Sequence, residues 1–123
     1  MSRWIFALLI SLSSTAAMAA DRIPLLFWHA MAGTANMEVS HLADAFNQSQ
    51  TKYQIIPVYK GTYSETLTST VAAVRVGQQP DLVQSLEVGS ATMLSPKGAI
   101  VPVYQVMEMA GLQFKPNLLI PSI

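Results

Sequence analysis

The stretch Tyr53–Leu67, YQIIPVYKGTYSETL, changes rhythm halfway, and that change decides the fold class. Tyr53 to Tyr59 is aromatic and β-branched and reads as a strand. Pro57 lacks an N–H and places that strand at a sheet edge or a bulge. Gly61 permits a tight turn. Thr62-x-x-Glu65 is then a capping-box pattern at the entrance of a helix over Ser64–Val76, with Leu67, Val71 and Val74 on one face. Thr66, Thr68, Thr70 and Val71 give this helix weak intrinsic propensity, so it depends on tertiary burial.

Upstream, Ile23–Trp28 (IPLLFW) is a continuous apolar run of the kind found in a strand covered on both faces, with Pro24 tolerable near its start. His29–Thr34 reads as a loop. From Ala35 to Gln48 the apolar positions Val39, Leu42, Ala43 and Phe46 have helical spacing. Thr34 or Asn36 could cap this helix, and Glu38 suits its first turn. Downstream, Gly77 ends the second helix and Pro80 bars its resumption. Asp81–Leu86 is a third strand, Val88–Gly98 a short helical turn, and Pro102 opens a last helix with Val103, Val106, Met107 and Ala110 on its apolar face and Gly111 as its stop. Phe114–Ile123 begins an extended segment.

The order β-α-β-α-β-α predicts the α/β class: a parallel sheet covered by helices through right-handed crossovers. Three strands make a thin sheet, and the chain reads as the beginning of a larger α/β domain.

Export is legible in the first twenty residues, MSRWIFALLISLSSTAAMAA. Arg3 supplies a positive start. The nine-residue, nearly unbroken apolar run Trp4–Leu12 is shorter than the roughly 20 residues that span a bilayer. Ala17-Met18-Ala19 offers the small-x-small pattern of a cleavage site, which defines residues 1–19 as a signal peptide and 20–123 as the exported part. The chain has no cysteine, hence no disulfide framework, no thiolate nucleophile and no lipoprotein anchor. No stable membrane insertion is expected after cleavage.

Apolar residues make up 51% of the 123-residue chain and charged residues 11%, with seven basic and seven acidic side chains. That composition is globular, and without a basic patch it has no field for nucleic acid. No GxSxG, GxGxxG or P-loop signature is present. His29 and His41 lie in no HxxxH or HExxH pattern, so the sequence calls for no metal and no cofactor. Catalytic parts are scarce.

Ligands of open α/β sheets gather beyond the carboxyl ends of the strands, where helices begin. Three loops qualify: Trp28–Thr34, Lys60–Ser64 and Glu87–Thr92. Tyr63 is placed at a helix entrance facing the strand ends, although it could equally pack on the domain edge. Lys60 reads as a solvated charge. Glu87, directly after an apolar strand, has to be paired or accessible. Either a salt bridge or a ligand would satisfy it. The pair Trp28 and His29 could stack on a sugar or move a proton, but a lone histidine at a strand end is more often structural.

FWHAM (27–31), IIPVYKGTYSETL (55–67), EVGSATML (87–94) and VPVYQVMEMAG (101–111) together resemble the periplasmic glycerol-3-phosphate-binding proteins of ABC importers. The resemblance implies two α/β lobes closing over a ligand, with this chain an incomplete amino-terminal lobe. It also implies an extracytoplasmic receptor, not an enzyme. Such a receptor captures sn-glycerol 3-phosphate, and glycerophosphodiesters as a related class, for delivery to membrane permease subunits. The family's ligand-binding tyrosine falls on Tyr63 and its glutamate on Glu87. Tyr63 would donate its phenolic O–H to a phosphate or glycerol oxygen, and Glu87 would accept from glycerol hydroxyls. This sequence departs from the family at Leu86, where an aromatic commonly precedes the glutamate. Half a cleft cannot overcome the roughly 4–15 kcal/mol of immobilising a small hydrophilic ligand. The chain alone is therefore expected to bind weakly or not at all. The alternatives are a sugar receptor of the same superfamily and, in a different class, a small secreted hydrolase pairing His29 with Glu87.

Overall fold

The structure, a computed structural model, describes residues 21–86, 89 and 98–115. The expected signal peptide, the turn over Val88–Gly98 (except its two glycines Gly89 and Gly98) and residues 116–123 lie outside that range, as does Glu87.

The described elements run β1 (Ile23–His29), α1 (Thr34–Ser49), β2 (Tyr53–Tyr59), α2 (Tyr63–Arg75), β3 (Leu82–Val83) and α3 (Val103–Met109). The strands form one parallel sheet in the order β2-β1-β3. The α/β alternation read from the sequence is thus the architecture. Because β1 lies in the middle, the crossover through α1 leads one way and that through α2 leads back across it. Right-handed connections put the two helices on opposite faces.

In the β1–β2 register Phe27 pairs with Pro57 and His29 with Tyr59. β2 is an edge strand, as Pro57 requires. Its outer edge is closed by a side chain of α1: Asn47 Nδ2 donates to the Ile55 carbonyl at 2.9 Å, and the Ile55 N–H donates to Asn47 Oδ1 at 2.7 Å. Polar groups two residues apart on a strand point to the same side, so the N–H that Pro57 lacks would also have faced this free edge. No ladder hydrogen bond is lost.

β3 is shorter than the expected Asp81–Leu86, and the reason is visible at both of its ends. Asp81 Oδ2 accepts from the Leu26 N–H at 2.8 Å, and Gln84 Oε1 accepts from the Ala30 N–H at 3.1 Å. Side chains continue the pairing with β1 where the backbone of β3 leaves it, so Asp81 and Gln84 stand just outside the strand they flank. The Gln84 N–H still donates to the Trp28 carbonyl at 2.9 Å.

The helices differ from expectation in detail. α1 has Gly33 at its N-cap position and no side-chain cap. Thr34 is its first residue and Asn36 lies within it, so neither can cap. Glu38 falls beyond the first turn, 3.9 Å from His41 Nδ1. Of the expected stripe only Ala43 is buried, while Leu42 is 70% exposed: the apolar arc is wider than the strand it covers. In α2 the innermost residues are Thr66, Thr70 and Ala73, with Leu67, Val71 and Val74 half-buried beside them. Small side chains let the helix approach closely. Thr70 makes that tolerable by turning its hydroxyl back to the Thr66 carbonyl, 2.8 Å away. Gly77 closes α2 as expected. At φ 68 it lets the Gln78 N–H reach the Ala73 carbonyl at 2.9 Å while its own N–H reaches that of Val74. α3 does not bury its expected face: Pro102 holds its N-cap position, Val103 and Val106 are exposed, and Met107 is half-buried. Its stop at Gly111 stands, with the Leu112 N–H on the Met107 carbonyl.

Candidate functional site

The three strands end level with one another, since His29 pairs with Tyr59 and Trp28 with Val83. The central strand sends its neighbours' connections in opposite directions, so the loops beyond its carboxyl end part and leave a crevice. A concavity of ≈ 120 Å³ lies there, lined by Tyr63, Ser64 and Leu67 of α2 and by Gln84, Ser85, Leu86 and Gly89 beyond β3.

Tyr63 reaches this place because of the residues just before it. The capping box forms in full. The Glu65 N–H donates to Thr62 Oγ1 at 3.3 Å, and Glu65 Oε2 accepts from the Thr62 N–H at 2.7 Å and from the Thr62 hydroxyl at 2.9 Å. These bonds, the one to the Thr62 backbone foremost, hold the Glu65 carboxyl below its ordinary pKa. Gly61, at φ 89, permits the reversal, and a Cβ there would collide with the Glu65 carboxylate. The box therefore fixes where α2 starts, and Tyr63 is its first residue.

The opposite side of the concavity is fixed by Gln84, which ties the exit of β3 to the exit of β1 through the Ala30 and Trp28 backbone. Gln84 lies inside the strand expected from the sequence, and its place near that strand's carboxyl end is the signal that points to the site. Leu86 and Gly89 bracket Glu87 and both line the concavity, while Glu87 itself lies outside the described residues. A Cβ on the buried Gly89 would sit 3.5 Å from Leu67, so this loop packs directly on α2.

Lys60 and His29, also singled out in the sequence, lie on the two faces of the sheet. Lys60, half-exposed, also lays its Nζ over the Trp28 ring, 4.2 Å from the centroid. The strand pleat explains the pair. Lys60 is two residues beyond Val58, which pairs with Trp28, so both side chains rise from one face. His29 is on the other face, 1% exposed, with ring centroids of Phe27 at 5.5 Å and Tyr59 at 6.1 Å. Among the described residues its Nδ1 has no hydrogen-bond partner, and burial pushes its pKa below the ordinary value. An imidazole so enclosed is packed into the sheet and is not offered to a substrate.

A parallel α/β sheet with polar side chains gathered at its carboxyl edge is the arrangement by which ligand-binding α/β proteins hold small molecules. Comparison with known proteins shows what the chain is similar to. Over 110 residues, 89% of its length, the chain is 47% identical to the sn-glycerol-3-phosphate-binding periplasmic protein UgpB of Yersinia pestis. It is 45% identical over 113 residues to the protein of that name from Pectobacterium atrosepticum, and 44% over 117 residues to that of Salmonella typhimurium. The chain spans about a quarter of the length of these relatives: 24%, 25% and 26%. The resemblance read from the four sequence tracts is therefore borne out over nearly the whole chain. No family model matches. Among solved structures, a cyclic α-maltosyl-1,6-maltose binding protein from Arthrobacter globiformis is 25% identical, with a TM-score of 0.46 over 51% of this chain and 16% of that one.

Proposed function

We propose that this chain forms one wall of the ligand cleft of an extracytoplasmic solute-binding component of an ABC importer, taking sn-glycerol 3-phosphate and passing it to permease subunits in the membrane. Residues 1–19 act as the signal peptide and the remainder works in the periplasm. The observation that carries this reading is the pairing of strong similarity to named glycerol-3-phosphate-binding proteins with a concavity at the strand ends lined by Tyr63, Ser64 and Gln84. Tyr63 offers a phenolic O–H to a phosphate or glycerol oxygen and an apolar ring face to the glycerol carbons. Glu87, next to Leu86 in the sequence, accepts hydrogen bonds from the glycerol hydroxyls. The relatives are named as binding proteins, and a buried His29 supports binding over acid–base chemistry.

The concavity, at ≈ 120 Å³, is smaller than the roughly 300–1,000 Å³ of a complete small-molecule site. The reading therefore expects weak binding by this chain, with the opposite wall supplied by sequence like that which the longer relatives carry. The test is titration of the ¹⁵N-labelled chain with glycerol 3-phosphate, followed by nuclear magnetic resonance. Signals of Tyr63, Ser64 and the loop around Glu87 shift at millimolar ligand, and maltose at equal concentration leaves them in place. A maltose response without a glycerol 3-phosphate response would transfer the site to sugars. Silence toward both removes the proposal.

A further inference from the structure

Gln84 has two hydrogen-bonding ends, and the fold uses one of them. Its Oε1 accepts from the Ala30 N–H at 3.1 Å. That bond also sets the orientation of the amide, since an N–H can be met only by the oxygen and never by the NH₂. The two Nε2 protons consequently point away from Ala30. Among the described residues no acceptor meets them, although Gln84 is half-buried and lines the concavity opposite Tyr63. The described lining also carries the hydroxyls of Tyr63 and Ser64, while that of Ser85 donates to the Leu86 carbonyl at 3.1 Å, and no carboxylate is among the described lining residues. An amide NH₂ left without an acceptor in a largely apolar lining suits a group that is all acceptor.

We infer that Gln84 is a specificity-determining residue of this site: its Nε2 donates to a phosphate oxygen of the ligand while its Oε1 holds the β3 exit onto β1. The inference rests on the proposed function and deepens it, assigning the phosphate end of the ligand to the Gln84 amide and leaving the glycerol hydroxyls to Glu87. A hydroxyl-bearing ligand without phosphate has fewer acceptors for these protons and gains less from them. The double role also explains why a long amide stands here. Asparagine is one methylene shorter, and a carboxylate would keep the bond to Ala30 but turn a repelling charge toward the phosphate.

The experiment uses the ¹⁵N-labelled full chain, with glycerol 3-phosphate, inorganic phosphate and glycerol as separate probes. The Gln84 side-chain NH₂ signals move with the first two probes and much less with glycerol, and they follow the same saturation curve as Tyr63. Gln84→Glu keeps its thermal midpoint and the slow exchange of the Ala30 amide, yet binds glycerol 3-phosphate about ten-fold more weakly. Movement of Tyr63 without movement of the Gln84 amide overturns the inference and leaves the receptor reading standing. Equal response to glycerol, or wild-type binding by Gln84→Glu, overturns it too. Silence of both Tyr63 and Gln84 toward glycerol 3-phosphate overturns both readings together. Should the Glu variant fold poorly, the wild-type Gln84 signals decide the matter by themselves.

Discussion

Asn47 and Ile55 close a two-bond ring between helix and sheet edge, the side-chain amide of one matching both backbone polar groups of the other at 2.9 and 2.7 Å. An edge strand with unpaired backbone invites pairing with other chains, and here the amide occupies part of that edge. It also anchors the end of α1 to β2, where Ala43 is the only residue of the helix that is buried.

Asn47→Ala is therefore expected to destabilise the protein by about 1–3 kcal/mol, because two half-buried backbone groups lose their partner at once. Asn47→Asp keeps the acceptor for the Ile55 N–H but sets a carboxylate against the Ile55 carbonyl, so it falls at least as far. Urea unfolding followed by circular dichroism measures both. A loss below a few tenths of a kcal/mol would show that the edge needs no amide.

Gly61→Ala is expected to cost about 1–2 kcal/mol from the left-handed backbone alone. A further loss follows because the new methyl group displaces the Glu65 carboxylate from Thr62. Thr62→Ala removes the cap without straining the turn and should cost about 1 kcal/mol. If the box is what holds the start of α2, then Glu65→Ala adds much less to Gly61→Ala than it does to the wild type. A double-mutant cycle reads that difference.

Acidification should weaken the fold in two steps. His29 is held below its ordinary pKa of 6.5 by burial, so the unfolded chain binds its proton more readily. Stability from neutral His29 is complete above that ordinary value and is lost as pH falls from it toward the lower folded value. Glu65 is held below 4.5 by its bonds to Thr62. Its contribution is present above that value and disappears as pH falls through the lower folded one. Thermal midpoints measured from pH 8 to pH 3 should decline first below about 6.5 and again below about 4.5. His29→Gln, if folded, abolishes the upper step and leaves the lower one. An upper step that survives in the variant belongs to another group.

Tyr63→Phe should weaken glycerol 3-phosphate binding by roughly ten-fold to a hundred-fold, the worth of one hydrogen bond to a charged group, while stability stays near wild type. Tyr63→Ala should weaken it further, since the ring face is lost as well. Indistinguishable shifts for the tyrosine and phenylalanine forms would show that the phenolic O–H does not touch the ligand.

The order of elements was legible in the chain because it depends on local chemistry. β2 runs from Tyr53 to Tyr59 as the pattern predicts, the capping box forms between the expected Thr62 and Glu65, and Gly77 and Gly111 end their helices. Each is decided within four or five residues, by backbone dihedrals and near-neighbour hydrogen bonds. The four tracts that carry the resemblance were likewise readable one by one.

Contacts between distant residues were not. No local pattern states that Asp81 and Gln84 use side chains to extend a strand of two residues, or that Asn47 reaches the edge of β2. Helical spacing marked Leu67, Val71 and Val74 as the face of α2, yet Thr66, Thr70 and Ala73 are the residues pressed inward. Hydrophobicity ranks residues by their preference for leaving water. Which of them do so depends on how closely a helix can approach a sheet, and small side chains set that distance. For the same reason Lys60 became readable only with Trp28 beneath it, and Gln84 only with Ala30 beside it. Sequence determined the elements and the chemistry available to them; the parallel register, which brings three strand ends to one level, decided which of those groups meet.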